Sequence, residues 1–297
     1  MSARAWTSFA IVSVLWGIPY LFISIAVDDG VPPAFLAWAR VVLGALVLLP
    51  LAWHAGVLGS LRGRMRWLAP YAVAEIVIPF PLIAAGEEHV SSSVAAILIA
   101  ATPLIVAVLA VAGFDRTERV SGMRLVGLLV GLAGVVALVG VDIAGDPDEL
   151  LGAAAILIAA VGYAIGPMTL RRGLGDIDPR ATMAAALTIA AVLLTPFAAA
   201  DLPEATPSGD ALISILVLGV LCTAAAFVFF GSLVNEVGAG RALVITYVAP
   251  VVAVIAGIVV LDERIGPGAI AGLALIIAGS WLATGGRMPA RSRVAAR

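Results

Sequence analysis

Ten runs of about 20 mostly apolar residues follow one another with short connections, and this pattern decides most of what the chain can fold into. A run of that length crosses a hydrocarbon layer of about 30 Å as an α-helix, the form that satisfies its backbone groups within one segment. The runs fall near 6–27, 33–54, 67–85, 92–112, 122–141, 150–170, 179–200, 212–233, 241–261 and 267–284. No connection has room for a soluble domain. The longest, around 201–210, is a turn rich in proline and acids. Of 297 residues 62% are hydrophobic and 12% charged, against roughly 45–50% and 25% in soluble domains. The expected fold is an all-α integral membrane protein of ten transmembrane helices, with the lipid bilayer as its first partner. Arg4 and the small residues Ser24-Ile25-Ala26 give the first run some likeness to a cleaved signal. Its apolar stretch exceeds the roughly 7–15 residues of a signal core, so it reads as a retained helix.

Arginine placement sets the orientation. With the N-terminus in the cytoplasm, every arginine except Arg264 and the intramembrane Arg40 lies on the cytoplasmic side. Asp28, Asp29, Glu87, Glu88, Asp142, Asp146, Asp148, Glu149, Asp201, Glu204, Asp210, Asp262 and Glu263 fall outside. Basic residues resist translocation, so N-in and C-in is expected, in a cytoplasmic membrane.

Several chemistries are excluded. The chain has no lysine, which removes P-loop and Schiff-base sites. Cys222 is the one cysteine, so no disulfide or cysteine metal cage can form. His54 and His89 fall on opposite sides of the membrane, leaving no metal-ligand pair and no Ser-His dyad. Gly173-Leu174-Gly175-Asp176 has the outline of an intramembrane protease element, but it sits in an arginine-flanked loop and reads as a turn. A net charge of −2 gives no basic field for nucleic acid. No cofactor and no enzyme activity are expected.

The two halves match under a shift of 147 residues. Val31-Pro32 falls on Asp178-Pro179, Trp16 on Tyr163, and Pro103 on Pro250. Past a two-residue deletion Glu118-Arg119 meets Glu263-Arg264, Gly127 meets Gly272 and Gly134 meets Gly279. Five spans per copy turn the second copy upside down, which divides the chain into inverted repeats at 1–146 and 147–297. Inverted repeats build secondary transporters, with the substrate site at the repeat interface near mid-bilayer.

The stretch from Pro81 through Gly86-Glu87-Glu88-His89-Val90-Ser91-Ser92-Ser93 to Thr102-Pro103-Leu104 resembles the EamA-type branch of the drug/metabolite transporter superfamily. So do Leu218-Gly219-Val220-Leu221-Cys222-Thr223, Ala249-Pro250-Val251 and Leu261-Asp262-Glu263-Arg264. Each motif is degenerate; their order and doubling carry the likeness, over essentially the whole chain. The resemblance implies a ten-helix carrier, commonly an exporter of amino acids or other small metabolites.

Arg40 and Glu75 are charges inside spans, at a cost that starts near about 2.5–3.5 kcal/mol for a central charge. Arg40 lies about 10 Å below the outer face and Glu75 about 12 Å above the inner one. Arg40 can attract an anionic group such as a substrate carboxylate, and Glu75 a cation or proton. Equally, the two can form a structural ion pair tying the second run to the third, or Arg40 can snorkel outward. Trp16 and Tyr20 share a helix face with Ser13, and Tyr163 lies on the equivalent face of the sixth run. These aromatics line a cavity in one reading and pack in the other. Pro103 and Pro250, beside Thr102 and Thr246-Tyr247, are candidate gating bends, since proline frees a carbonyl. Gly127-x-x-x-Gly131 and Gly268-x-x-x-Gly272 allow close helix approach, within the chain or in a homodimer. The expected function is a secondary transporter exporting amino acids, small metabolites or toxic compounds by alternating access, with a proton or counter-substrate left open. An importer of the same fold is the alternative; a non-transporting scaffold or intramembrane enzyme is the reading from another class.

Overall fold

The computed structural model describes residues 2–111, 122–143, 145–238, 242 and 244–283, and no strand occurs among them. The helices are α1 (Ala3–Asp28), α2 (Pro33–His54), α3 (Met65–Glu87) and α4, which runs Ser92–Ile99 and resumes Thr102–Val111. Then come α5 (Gly122–Leu138, continued by a π turn over Val139–Ile143), α6 (Pro147–Gly173), α7 (Pro179–Ala200) and α8 (Gly209–Val237). The last two are α9 (Ile245–Val260) and α10 (Pro267–Ala283). Eight are long and apolar enough to cross a membrane, and α9 and α10 are shorter apolar helices. Glu118-Arg119, Asp115, Arg241 and the C-terminal arginines lie outside the described residues.

The helix starts follow from local chemistry. Ser2, Ser91 and Ser208 each accept a bond from the backbone three residues on, at 3.1, 3.3 and 3.2 Å. Asp146 and Asp178 accept from Asp148 and Arg180, both at 2.8 Å, with proline at the next position pre-set for the helix. Arg180 also clamps Asp178 at 2.8 Å, which holds that carboxyl below its usual range. At the far end of α6, Arg64 bridges to Asp176 at 2.6 Å and donates to the Gly173 carbonyl, so the Gly-Leu-Gly-Asp stretch is a turn.

Besides the break in α4 and the π turn at the end of α5, three helices depart from regular α geometry. In α1 the chain is interrupted at Ile18, just before Pro19. In α3, residues Val73–Val77 form a π turn, with the Ile78 N–H reaching the Val73 carbonyl at 3.0 Å. In α8 the π segment is longer, Val217–Ala225. The two occupy matching places, since Glu75 and Cys222 are 147 residues apart.

Packing interleaves the chain. α1 lies against α8 and α9, while α6 lies against α3 and α4. α2 packs on α7 and on the π segment of α8, and α7 packs on that of α3. Alanines recur among the buried positions of the α2–α3–α7 core, Ala37, Ala45, Ala52, Ala181, Ala184 and Ala190 among them, between larger residues such as Leu48, Ile76 and Leu187. Small residues let helices approach where lipid removes the hydrophobic drive to associate. Further apolar residues face outward, Val192 at 67% and Val259 at 71% exposed, where acyl chains solvate them.

α5 and α10 make the most extensive helix–helix contact among the described residues. A Cβ on Gly134 would meet the Gly272 carbonyl at 3.0 Å and one on Gly279 would strike the backbone of Gly131 and Gly127. The glycine stripes are therefore consumed within the chain, joining its two halves.

At one end, caps cross between those halves. The Glu263 carboxylate accepts from the Ser92 N–H at 2.8 Å, the Ser93 N–H at 3.2 Å and the Ser93 hydroxyl, closing the start of α4. Asp142 accepts from the Gly268 N–H at 3.2 Å and the Ala269 N–H at 2.6 Å, closing the start of α10. Asp262, at φ 53°, turns the chain back after α9 so that Glu263 can reach α4. Gly257 must lack a Cβ, which would fall 2.6 Å from the Ser93 hydroxyl. Helix N-termini leave their first N–H groups unpaired, and a carboxylate there gains from the dipole as well. Glu263→Ala should cost about 1.5–3 kcal/mol, the worth of bonds to a charged acceptor. Thermal unfolding in detergent measures it, with Glu263→Gln expected to fall between; an unchanged transition for the Ala variant would count against the cap.

Candidate functional site

Arg40 is the centre of the site. It sits on α2 at 8% exposure, where Leu36, Ala37 and Val41 bury their own sides. Its Nε donates to the Thr223 hydroxyl at 2.9 Å, and its guanidinium carbon lies 4.0 Å from the centroid of the Phe80 ring. The Thr223 hydroxyl in turn donates a hydrogen bond to the Leu218 carbonyl at 2.8 Å, five residues back in the π segment of α8. The wide turn supplies that carbonyl, so the irregular backbone of α8 is what orients the hydroxyl toward Arg40. Phe80 contributes the negative face of its ring, a cation–π contact. No hydrogen bond or ion pair engages Nη1 or Nη2 of Arg40 among the described residues. The two amino groups of the guanidinium fork are thus left unspent.

Tyr20, Tyr163, Cys222 and Glu87 all lie within electrostatic reach of Arg40. Tyr20 comes from α1 just past its interruption, and Tyr163 from the middle of α6. Both are half-buried and pack into the core shared by α1, α2, α3, α6 and α8. Glu75 lies beyond Tyr163, on the π turn of α3. Its Oε2 is buried without a hydrogen-bond partner, in a notch that exists because Gly166 on α6 has no Cβ. Arg40 and Glu75 form no ion pair, so the structural-pair alternative of the sequence reading is not the arrangement found. Among the described residues no cluster of three or more His, Cys, Asp or Glu could hold a metal.

Glu87 departs from its expected place. Read from sequence as one of the outer acids, it is 5% exposed, with both carboxylate oxygens buried and unpartnered. Gly86 beside it fits against Ile156 and Gly152 of α6, and this close approach draws the last turn of α3 inward. Glu88 stays exposed.

The other candidates are elsewhere. Trp16 packs against Phe227 and Phe230 of α8, with ring centroids 5.7 and 4.7 Å away. Thr102 donates to the Ile99 carbonyl at 2.7 Å, taking the acceptor that Pro103 cannot use for lack of an N–H. α4 is broken just ahead of Pro103, whereas α9 runs through Pro250 without interruption. The two matched prolines therefore do not bend their helices alike. Tyr247 donates to the Ser280 carbonyl at 3.4 Å and lines a groove with Ala274, Ile277, Ala278 and Trp281 of α10; Thr246 is its neighbour. The structure thus gathers Tyr20, Arg40, Tyr163 and Glu75, leaves Trp16, Thr102, Thr246, Tyr247, Pro103 and Pro250 apart from them, and adds Glu87, Thr223 and Phe80.

Comparison with known proteins places the chain in a family. The profile of the EamA-like transporter family matches residues 4–140 and again 150–285. The uncharacterized transporter YoaV of Bacillus subtilis is 25% identical over 281 residues, covering 92% of this chain and 94% of that protein. The uncharacterized inner membrane transporter YedA of Escherichia coli K12 is 28% identical over 260 residues, covering 82% and 78%. A protein of known crystal structure shares the fold with a TM-score of 0.67 at 21% identity, covering 96% of this chain and 97% of that one.

Proposed function

The chain belongs to the EamA-like transporter family, and from that premise we propose that it exports a small metabolite bearing an anionic group across the cytoplasmic membrane. Arg40 carries the reading. A guanidinium buried at 8% exposure, braced by Thr223 and Phe80 with both amino groups unspent, suits a cargo carboxylate held bidentately. Tyr20, Tyr163 and Phe80 around it suit an amphipathic or partly apolar remainder.

Ten spans with both termini in the cytoplasm, and inverted halves at 1–146 and 147–297, complete the proposal. The interleaved packing supports it: α1 lies on α8 and α9 as α6 lies on α3 and α4. Rocking of the halves would expose Arg40 to each side in turn. The relative named an inner membrane transporter supports the location. A host expressing the wild type should accumulate one metabolite in the medium that an empty-vector host retains, as comparative mass spectrometry of medium and cells would record. Equal profiles at verified membrane expression would overturn export.

A further inference from the structure

One aspartate position occurs twice in the repeat, as Asp29 behind α1 and Asp176 behind α6, 147 residues apart. Each reaches across to the other half of the chain, and each meets the residue that opens a long helix. Asp176 Oδ2 accepts from Nη2 of Arg64 at 2.6 Å, while Nη1 of Arg64 donates to the Gly173 carbonyl at 2.9 Å. Arg64 is the N-cap of α3. Asp29 Oδ2 accepts from the backbone N–H of Ser208 at 2.8 Å, and Ser208 is the N-cap of α8. The helices α3 and α8 are themselves repeat-matched, as Glu75 and Cys222 mark. The seams behind these contacts are closed as well. Trp67 of α3 lies on Gly173 of α6, where a Cβ would run into the indole. Ala26 and Val27 of α1 share a buried cluster with Ala211 and Ile215 of α8. Because α1 and α6 run in opposite directions in the inverted arrangement, the two contacts lie at opposite faces of the membrane.

We propose that Asp176 latches the cytoplasmic end of the transport path and Asp29 the outer end, one repeat position serving once on each face. The inference rests on alternating access between the two halves and says where the halves part. Opening toward the cytoplasm draws the start of α3 from the end of α6, which breaks the Arg64–Asp176 pair and lifts Trp67 from Gly173. Opening outward draws the start of α8 from the end of α1, which frees the Ser208 N–H from Asp29. With both contacts made, Arg40 is enclosed at 8% exposure, so the structure stands as the closed state between those openings. The latches differ in kind. The inner one is an ion pair with both partners partly in solvent, and salt weakens it. The outer one is a carboxylate on a single backbone N–H at a helix start, where the first amides lack partners and the dipole adds attraction. A contact of this modest strength suits a latch, since it holds one end shut without trapping the protein there.

Spin-label distances in lipid nanodiscs read both ends without the natural cargo, on the full chain carrying Cys222→Ser. One labelled pair, Arg62→Cys with Gly175→Cys, reports the inner end; the other, Asp28→Cys with Thr206→Cys, reports the outer end. All four positions are exposed. Asp176→Ala should raise the open-to-closed ratio of the inner pair about two- to fivefold, the weight of an exposed ion pair, and leave the outer pair unchanged. Asp29→Ala should widen the outer pair and leave the inner one unchanged. Arg64→Asp joined with Asp176→Arg should restore the wild-type inner distances, which a contact acting only by its shape would not do. Raised salt should widen the inner pair of the otherwise wild-type chain and leave that of Asp176→Ala as it was; the first of these readings stands even where a variant does not fold. Both Ala variants moving the same pair, neither moving its own, an exchanged pair that stays open, or an inner end indifferent to salt would each overturn the proposal. Export can be absent from the mass-spectrometric comparison while both ends open as stated, so the two readings fail separately.

Discussion

Arg40→Gln is expected to lower cargo flux about ten- to a hundredfold while the protein inserts normally and melts no earlier than the wild type. Two effects of opposite sign underlie this split. The glutamine amide cannot offer the guanidinium fork, and bonds to a charged partner are worth roughly 1.5–3 kcal/mol. That converts to the stated range, since about 1.4 kcal/mol is a factor of ten. The same change removes a buried charge held by one hydrogen bond and one ring contact. Replacing a poorly compensated buried ion by a neutral group is often neutral or stabilising. Flux and thermal unfolding on the same preparation separate a cargo anchor from a structural cation, because loss of both together would assign Arg40 to the scaffold.

The second large effect concerns α5 and α10. Gly279→Val should cost about 1–3 kcal/mol or more, through a backbone that cannot retreat. An added side chain there meets the Gly131 and Gly127 backbone, not the movable end of a side chain. Gly140→Ala, where a new Cβ meets nothing within 4 Å, is the matched control and should be silent. Size-exclusion profiles and melting in detergent read both. A well-behaved Gly279→Val protein would mean that the two helices can separate without cost.

Much of this architecture is legible in the sequence, for identifiable reasons. Apolar runs of the required length give the helices, because backbone satisfaction in lipid admits few other forms. Arg40 stands out since a charge at that depth needs a purpose. Glu87 could not be found the same way. Two adjacent acids at a helix end look alike in sequence, and the contact of Gly86 with Ile156 and Gly152 decides which one turns inward. Nor do matched prolines imply matched bends. The Ile99 carbonyl freed by Pro103 finds the Thr102 hydroxyl, and α4 breaks there. The π turns leave no trace in hydropathy, as one more apolar residue in an apolar run is invisible. Their presence explains how Thr223, adjoining the position equivalent to Glu75, comes to serve Arg40.

Those π turns have an evolutionary consequence. Each residue of an α-helix advances the chain by about 100°, so a wide turn acts as an inserted residue whose removal would swing everything beyond it to another face. A single-codon deletion within Val217–Ala225 would carry Thr223 away from Arg40 and present a different wall to the cargo, with the apolar run still long enough to span. Specificity in such a chain can therefore drift by changes of length as well as by substitution. The apolar outer face, which any rotation of the helix still satisfies, would tolerate the change.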